Sequence, residues 1–126
     1  MKKKKSILVI EDDPQLMSNL IQAFERQGYY AWGCPWVERA HTIFTTVRPD
    51  FVFLDLDFGD SRRMELIEKC KMYSPKTQII VESASADGDL RDRAMTHGAD
   101  LFLVKPFSLQ PLFELLEHPL IPQYSV

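Results

Sequence analysis

The sequence predicts an α/β fold, a doubly wound sheet of five parallel strands with five helices on its faces. Three observations predict it. Strand-like and helix-like stretches alternate along the whole chain, the pattern of repeated strand–helix units. Two strand-like runs, Ser6-Ile7-Leu8-Val9-Ile10 and Phe51-Val52-Phe53-Leu54, are continuously apolar, as strands buried on both faces are. Both runs end in carboxylates, Glu11-Asp12-Asp13 after the first and Asp55 after the second. The carboxyl ends of such strands are where an open α/β sheet has its ligand crevice.

Each element follows from local chemistry. The first strand covers residues 6–10. Pro14 suits the first turn of a helix with Asp13 as its cap, because proline has no amide to leave unpaired there. Leu16, Leu20 and Phe24 share one face of that helix, and Gly28 is placed to end it. Residues 30–33 form a short second strand whose aromatics and glycine suit a sheet edge. A second helix over 36–47 turns Val37, Ala40, Phe44 and Val47 inward, with Trp36 and His41 as surface or core-packing residues. Arg48-Pro49-Asp50 breaks the chain before the central strand, and Phe58-Gly59-Asp60-Ser61 is a turn signal after it. The third helix spans 61–73, with Met64, Ile67 and Cys70 or Lys71 on successive turns, and Ser74-Pro75 ends it. The fourth strand is 78–82. A fourth helix over 87–97 turns Leu90 and Ala94 inward and stops at Gly98. The fifth strand is 100–104. Ser108 caps a last helix, Pro111 falls in its first turn, and Pro119 ends it.

Composition narrows the function. A length of 126 residues fits one domain, and a hydrophobic content of 45% supplies an ordinary core. The net charge of −3 argues against a direct nucleic-acid partner. Lys2 to Lys5, a basic run, reads as a solvated terminal tail. No apolar stretch is long enough to span a membrane and no signal peptide is visible. Cys34 and Cys70 have neither metal-ligand spacing nor a paired framework, so they read as packing residues in a reducing, cytoplasmic setting. The two acidic strand ends can bring three or four carboxylates into one crevice. Such a cluster repels itself unless a hard divalent cation sits within it.

Four motifs then fall into register. Ile-Leu-Val-Ile-Glu-Asp-Asp-Pro (7–14), Pro-Asp-Phe-Val-Phe-Leu-Asp (49–55), Val-Glu-Ser-Ala (81–84) and Leu-Val-Lys-Pro-Phe (103–107) resemble, in order and spacing, the signatures of the receiver domain of two-component response regulators. The resemblance runs from about Ser6 to about Glu117. It implies a flavodoxin-like sheet of strand order 2-1-3-4-5, an order taken from the family. It also implies one receiver domain over 1–126 with its core at 6–117. A tail at 118–126 follows and no effector domain, so the domain stands alone or the chain is a piece of a longer one.

The resemblance assigns roles. Asp55 is the phosphoacceptor, taking a phosphoryl group from the phosphohistidine of a histidine kinase or histidine phosphotransfer protein. Glu11, Asp12, Asp55 and the backbone carbonyl of Asp57 hold Mg²⁺, a hard cation that suits oxygen ligands. Lys105 and the Ser83 hydroxyl meet phosphoryl oxygens, and the Ala84 amide adds a donor. Asp13 serves as a cap at least as plausibly as a ligand. The Lys105-Pro106 bond is expected to be cis. Ser83 and Phe102 form the switch: the phosphoryl group draws the hydroxyl inward and the aromatic follows it. Helix four, strand five and helix five then present a changed surface to an unidentified downstream protein or to a second copy. Signalling follows by protein binding, or the phosphoryl group passes on in a relay. The chain is expected to take up and slowly lose a phosphoryl group rather than act as an enzyme.

Three positions depart from the family. Its members usually carry proline four residues after the phosphoacceptor and glycine eight after; here these are Gly59 and Arg63. If that glycine has positive φ, arginine tolerates the position poorly and the loop is reshaped. Arg62 and Arg63 are expected to be exposed rather than to reach the acidic pocket. Asp57 brings a further carboxylate near the site, able to compete for metal or to position water. Two rival readings stand beside this one. Phe53-Leu54-Asp55-Leu56-Asp57 also resembles the start motif of haloacid-dehalogenase-type phosphatases, which expects the first strand of its fold. A pseudo-receiver, an interaction module that is never phosphorylated, would lack need of the Glu11, Asp12, Asp55, Ser83 and Lys105 set.

Overall fold

The computed structural model describes residues 3–57 and 62–118. Strands and helices alternate: β1 (Ser6–Ile10), α1 (Pro14–Arg26), β2 (Tyr30–Cys34), α2 (Val37–Val47), β3 (Phe51–Asp55), α3 (Arg62–Tyr73), β4 (Gln78–Ser83), α4 (Gly88–His97), β5 (Leu101–Val104) and α5 (Leu109–Leu116). The strands form one parallel sheet in the order β2-β1-β3-β4-β5. The class is the one the sequence predicts, and the strand order is the one the family resemblance implies.

Strand alternation divides the core in two. Leu8, Ile10, Val52, Leu54, Ile79, Val81 and Phe102 face one layer, where Ala40 and Phe44 of α2, Ile67 and Cys70 of α3 and Ala94 of α4 cover them. Ile7, Val9, Phe51, Phe53, Ile80, Leu101 and Leu103 face the other, under Leu20 and Phe24 of α1 and Leu112, Phe113 and Leu116 of α5. Phe24 anchors this second layer, meeting Tyr29, Phe53 and Phe113 edge-on with ring centroids 5.7, 6.0 and 5.5 Å away. Edge-on pairs add to the area they bury because the positive ring edge meets the negative face.

The helix ends follow the sequence closely. Asp13 caps α1 with Oδ1, accepting from the amides of Gln15 (2.9 Å) and Leu16 (3.2 Å). Gly28 and Gly98 follow α1 and α4 with φ of 94° and 119°, a region only glycine enters freely. Ser108 stands at the N-terminus of α5 but makes no capping hydrogen bond through its side chain. Lys71, the alternative to Cys70 on α3, extends to Asp100 at 2.6 Å, while Cys70 is buried in the core. Strand β4 runs one residue past its expected end, to Ser83, whose carbonyl accepts from the Lys105 amide at 2.8 Å. The 58–61 turn with Gly59, the expected helix start at 61, Pro119 and the rest of the tail lie outside the described residues.

Candidate functional site

The rule that hides apolar side chains also builds the site. On the α1/α5 face, the alternation Ile7, Val9 continues to Glu11, and Phe51, Phe53 to Asp55. Ile80 continues to Glu82, and Leu101, Leu103 to Lys105. Asp55 and Glu82 are direct partners in the β3–β4 register. Three carboxylates and an ammonium therefore converge at the carboxyl ends of four adjacent strands. Glu11, Asp55 and Glu82 are essentially sealed from solvent, at 0%, 0% and 1% exposure.

Few donors answer these acids. Asp55 Oδ1 accepts from the Asp57 amide at 2.8 Å, and Oδ2 from Lys105 Nζ at 3.1 Å. Lys105 Nζ stands 4.0 Å from Glu82 Oε1. Glu11 Oε2 accepts from the Asp13 amide at 3.1 Å. Glu11 Oε1 and Glu82 Oε1 are buried with no hydrogen-bond partner among the described residues. Burial, reinforced by Asp55 and Glu82, pushes the Glu11 carboxyl up to about 8. Burial, with Asp55 and Asp57 alongside, pushes Glu82 up to about 7 despite Lys105. Burial works against the Lys105 charge, but hydrogen bonds to Asp57 and Asp55 outweigh it and hold its pKa above the ordinary lysine value.

This donor set fits a hard divalent cation. Oxygens of Glu11, Asp12 and Asp55 lie within 4.8 Å of one another, Asp12 is exposed, and Glu11 Oε1 has nothing else to bind. All-oxygen, mostly anionic ligands are what Mg²⁺ and Ca²⁺ take. Asp13 is engaged as the α1 cap through its Oδ1, as the sequence reading allows. Asp57 stands apart from this cluster. Its Oδ1 accepts from the Ser83 hydroxyl at 2.6 Å and from the Ala84 amide at 3.0 Å; its Oδ2 accepts from the same amide at 2.9 Å and from Lys105 Nζ at 3.0 Å. Burial raises its pKa, but the bonds from Ser83, Lys105 and Ala84 prevail and lower it.

Phe102 lies across the sheet in the α2/α3/α4 layer, 1% exposed and paired in register with Val81. The Lys105-Pro106 bond is cis. One expectation needs correction: Arg63 is not an exposed arginine. It is 6% exposed, and its Nη1 donates to the Asp55 carbonyl at 2.9 Å. It lies within α3, and Arg48 is the non-glycine residue of positive φ among the described residues, so no left-handed backbone is asked of position 63. Sequence reasoning missed Arg63 as a second cation at the end of β3, and missed Glu82. The signal for Glu82 was present: it is a carboxylate at the end of a buried strand, as Asp55 is.

Comparison with known proteins gives this geometry its context. A family model described as the response regulator receiver domain matches residues 7–117. The KDP operon transcriptional regulatory protein KdpE of Escherichia coli is 28% identical over 107 residues, 85% of this chain and 47% of that protein. Sporulation initiation phosphotransferase F of Bacillus subtilis is 24% identical over 106 residues, 84% of this chain and 86% of that protein. A Burkholderia pseudomallei response regulator, solved with a phosphorylated aspartic acid, a calcium ion and citrate, superposes with a TM-score of 0.80. It is 26% identical, over 86% of this chain and 64% of that one. This chain spans half or less of the length of several curated relatives that it matches, KdpE among them. With the 2-1-3-4-5 sheet, the acids at its strand ends and a family model over nearly its full length, the chain belongs to the response regulator receiver domains.

Proposed function

We propose that Asp55 accepts a phosphoryl group from a phosphohistidine of a histidine kinase or histidine phosphotransfer protein. A carboxylate oxygen of Asp55 attacks phosphorus as the bond to the imidazole nitrogen breaks, leaving an acyl phosphate and a histidine that takes its proton from solvent. Lys105 sets a compact cation against the incoming charge, and the Ser83 hydroxyl and Ala84 amide are the remaining donors. Glu11, Asp12 and Asp55, with the Asp57 carbonyl by resemblance, would hold Mg²⁺, which when bound neutralises charge on the transferring group. The observation that carries this reading is the sealed Asp55 carboxylate, 3.1 Å from Lys105 and within 4.8 Å of Glu11 and Asp12. The Burkholderia relative with its phosphorylated aspartic acid and calcium ion supports it.

In this reading the domain is a phosphoryl carrier, not a turnover enzyme, and works in the cytoplasm. No described helix is long and apolar enough to cross a membrane. Output runs from Ser83 and Phe102 to the surface of α4, β5 and α5, which meets a downstream protein or a second copy, or the phosphoryl group moves on in a relay. The phosphatase reading loses its footing, because Asp55 ends the third strand of the chain rather than the first. Acetyl phosphate with Mg²⁺ tests the proposal. Mass spectrometry should find one phosphoryl group on Asp55 and none in Asp55→Asn. A label on Asp57 would overturn the assignment, and no label at all would favour the unphosphorylated interaction module.

A further inference from the structure

The three donors that the proposed function reserves for phosphoryl oxygens are already engaged. The Ser83 hydroxyl, the Ala84 amide and the Lys105 ammonium all point at one carboxylate, that of Asp57, at 2.6 to 3.0 Å. Its two oxygens divide these donors as two oxygens of a phosphoryl group would. Lys105 is shared with the acceptor itself, at 3.1 Å from Asp55 Oδ2. The Asp57 side chain is 25% exposed where Asp55 is sealed, so Asp57 lies on the solvent side of the acceptor, where a donor must arrive.

We propose that Asp57 is a built-in competitor for the phosphoryl subsite, a carboxylate that must leave Ser83, Ala84 and Lys105 before a phosphoryl group can seat on Asp55. The inference rests on the proposed function and deepens it. Hydrogen bonds to an ionised acceptor are the strong ones, so the competition is substantial. An ionised Asp57 that stayed in place would also face the phosphoryl oxygens as a like charge. Asp57 thereby sets how readily this receiver is phosphorylated, without itself reacting.

Beryllofluoride, titrated in saturating Mg²⁺ and followed by ¹⁹F NMR, is the probe. The wild type is compared with Asp57→Asn, which keeps the shape and loses the charge, and with Asp57→Ala, which frees all three donors. Asp57→Ala should bind beryllofluoride about tenfold more tightly, the factor carried by ~1.4 kcal/mol. Asp57→Asn should fall between it and the wild type. Both variants should unfold at a lower temperature than the wild type, because the bracing bonds are weakened in Asp57→Asn and gone in Asp57→Ala. A purely structural Asp57 would move affinity and melting temperature down together. Unchanged or weaker binding in both variants, with the wild type binding normally, overturns the competitor and leaves the phosphoacceptor standing. Absence of binding in all three proteins overturns the phosphoacceptor reading and this inference with it.

Discussion

The pocket has two unlike sides. On the β1/β3 side, Glu11, Asp12 and Asp55 crowd together, with Glu82 reaching in from β4; Glu11 and Glu82 each keep a buried oxygen without a partner. On the β4/β5 side, Ser83, Ala84 and Lys105 are donors, and Asp57 satisfies every one of them. One side has more negative charge than the protein answers; the other has its anion already. The difference teaches that an acidic pocket is not uniformly poised for its ligands. This one is open to a cation and closed to an anion.

The largest expected effect breaks the acidic side. Asp12→Ala should abolish Mg²⁺ binding in a calorimetric titration. The wild type should gain several degrees in melting temperature at 100-fold excess over Kd, where a ligand adds ~2.7 kcal/mol, and the variant none. In metal-free buffer Asp12→Ala should be as stable as the wild type or more so, since repulsion is relieved. Normal Mg²⁺ binding by the variant would remove Asp12 from the site.

Lys105→Met should come next. It strips the cation shared by Asp55, Asp57 and Glu82, and leaves a sealed carboxylate without its charged partner. Removing one member of a buried charge pair is costly, so a loss of roughly 3 kcal/mol in urea unfolding is expected, partly restored by Mg²⁺. A loss near zero would show that the buried acids are already protonated or solvated.

The pH dependence sharpens the contrast further. Glu11 and Glu82 have folded pKa values raised to about 8 and about 7, above those of the unfolded chain. The folded state therefore holds more protons, and metal-free stability should fall as pH rises from about 5 to 8. Glu82→Gln should flatten that fall by about 3 kcal/mol, the scale of the two to three pK units between its ordinary and folded values. Saturating Mg²⁺ should flatten it as well. A stability that rises over this range would refute the buried, uncompensated acids.

The smallest effect tests the donor side. Ser83→Ala loses one hydrogen bond to Asp57, worth about 1 kcal/mol, and should still be phosphorylated because Lys105 and the cation remain. Its response over residues 87–107 should be weak in amide NMR with beryllofluoride. A full wild-type response there would show that the signal leaves by a route other than Ser83 and Phe102.

The acidic side was readable in the sequence, and the donor side only by resemblance, for a physical reason. Glu11 and Asp55 end continuous apolar runs, so local pattern alone places them at strand ends. Glu82 obeys the same rule, but its strand was expected to stop there, whereas pairing carries it on to Ser83 and sets Glu82 beside Asp55. Arg63 was misjudged because helical periodicity draws attention to Met64, Ile67 and Cys70. Its burial depends on reaching back to the Asp55 carbonyl, eight residues earlier in the chain. The Asp57 bonds join residues 26 and 48 positions apart, and only the assembled sheet brings these together. The elements and core faces were legible because alternation and breakers are local, and the strand order came from the family resemblance; the occupancy of the donors was not legible, because it is wholly long-range.

The most direct measurement is the amide resonance of Ala84, which reports whether Asp57 holds the donor side. In the free wild type it should carry the downfield signature of a hydrogen bond to a carboxylate, and Asp57→Ala should lose it. Mg²⁺ alone should shift the amides of residues 11–13 and 55–57 and leave Ala84 nearly in place. Beryllofluoride should then move Ala84 strongly as one anion replaces another. An Ala84 resonance indifferent to the Asp57→Ala substitution, or unmoved by beryllofluoride that binds, would contradict a pocket whose anion side is already filled.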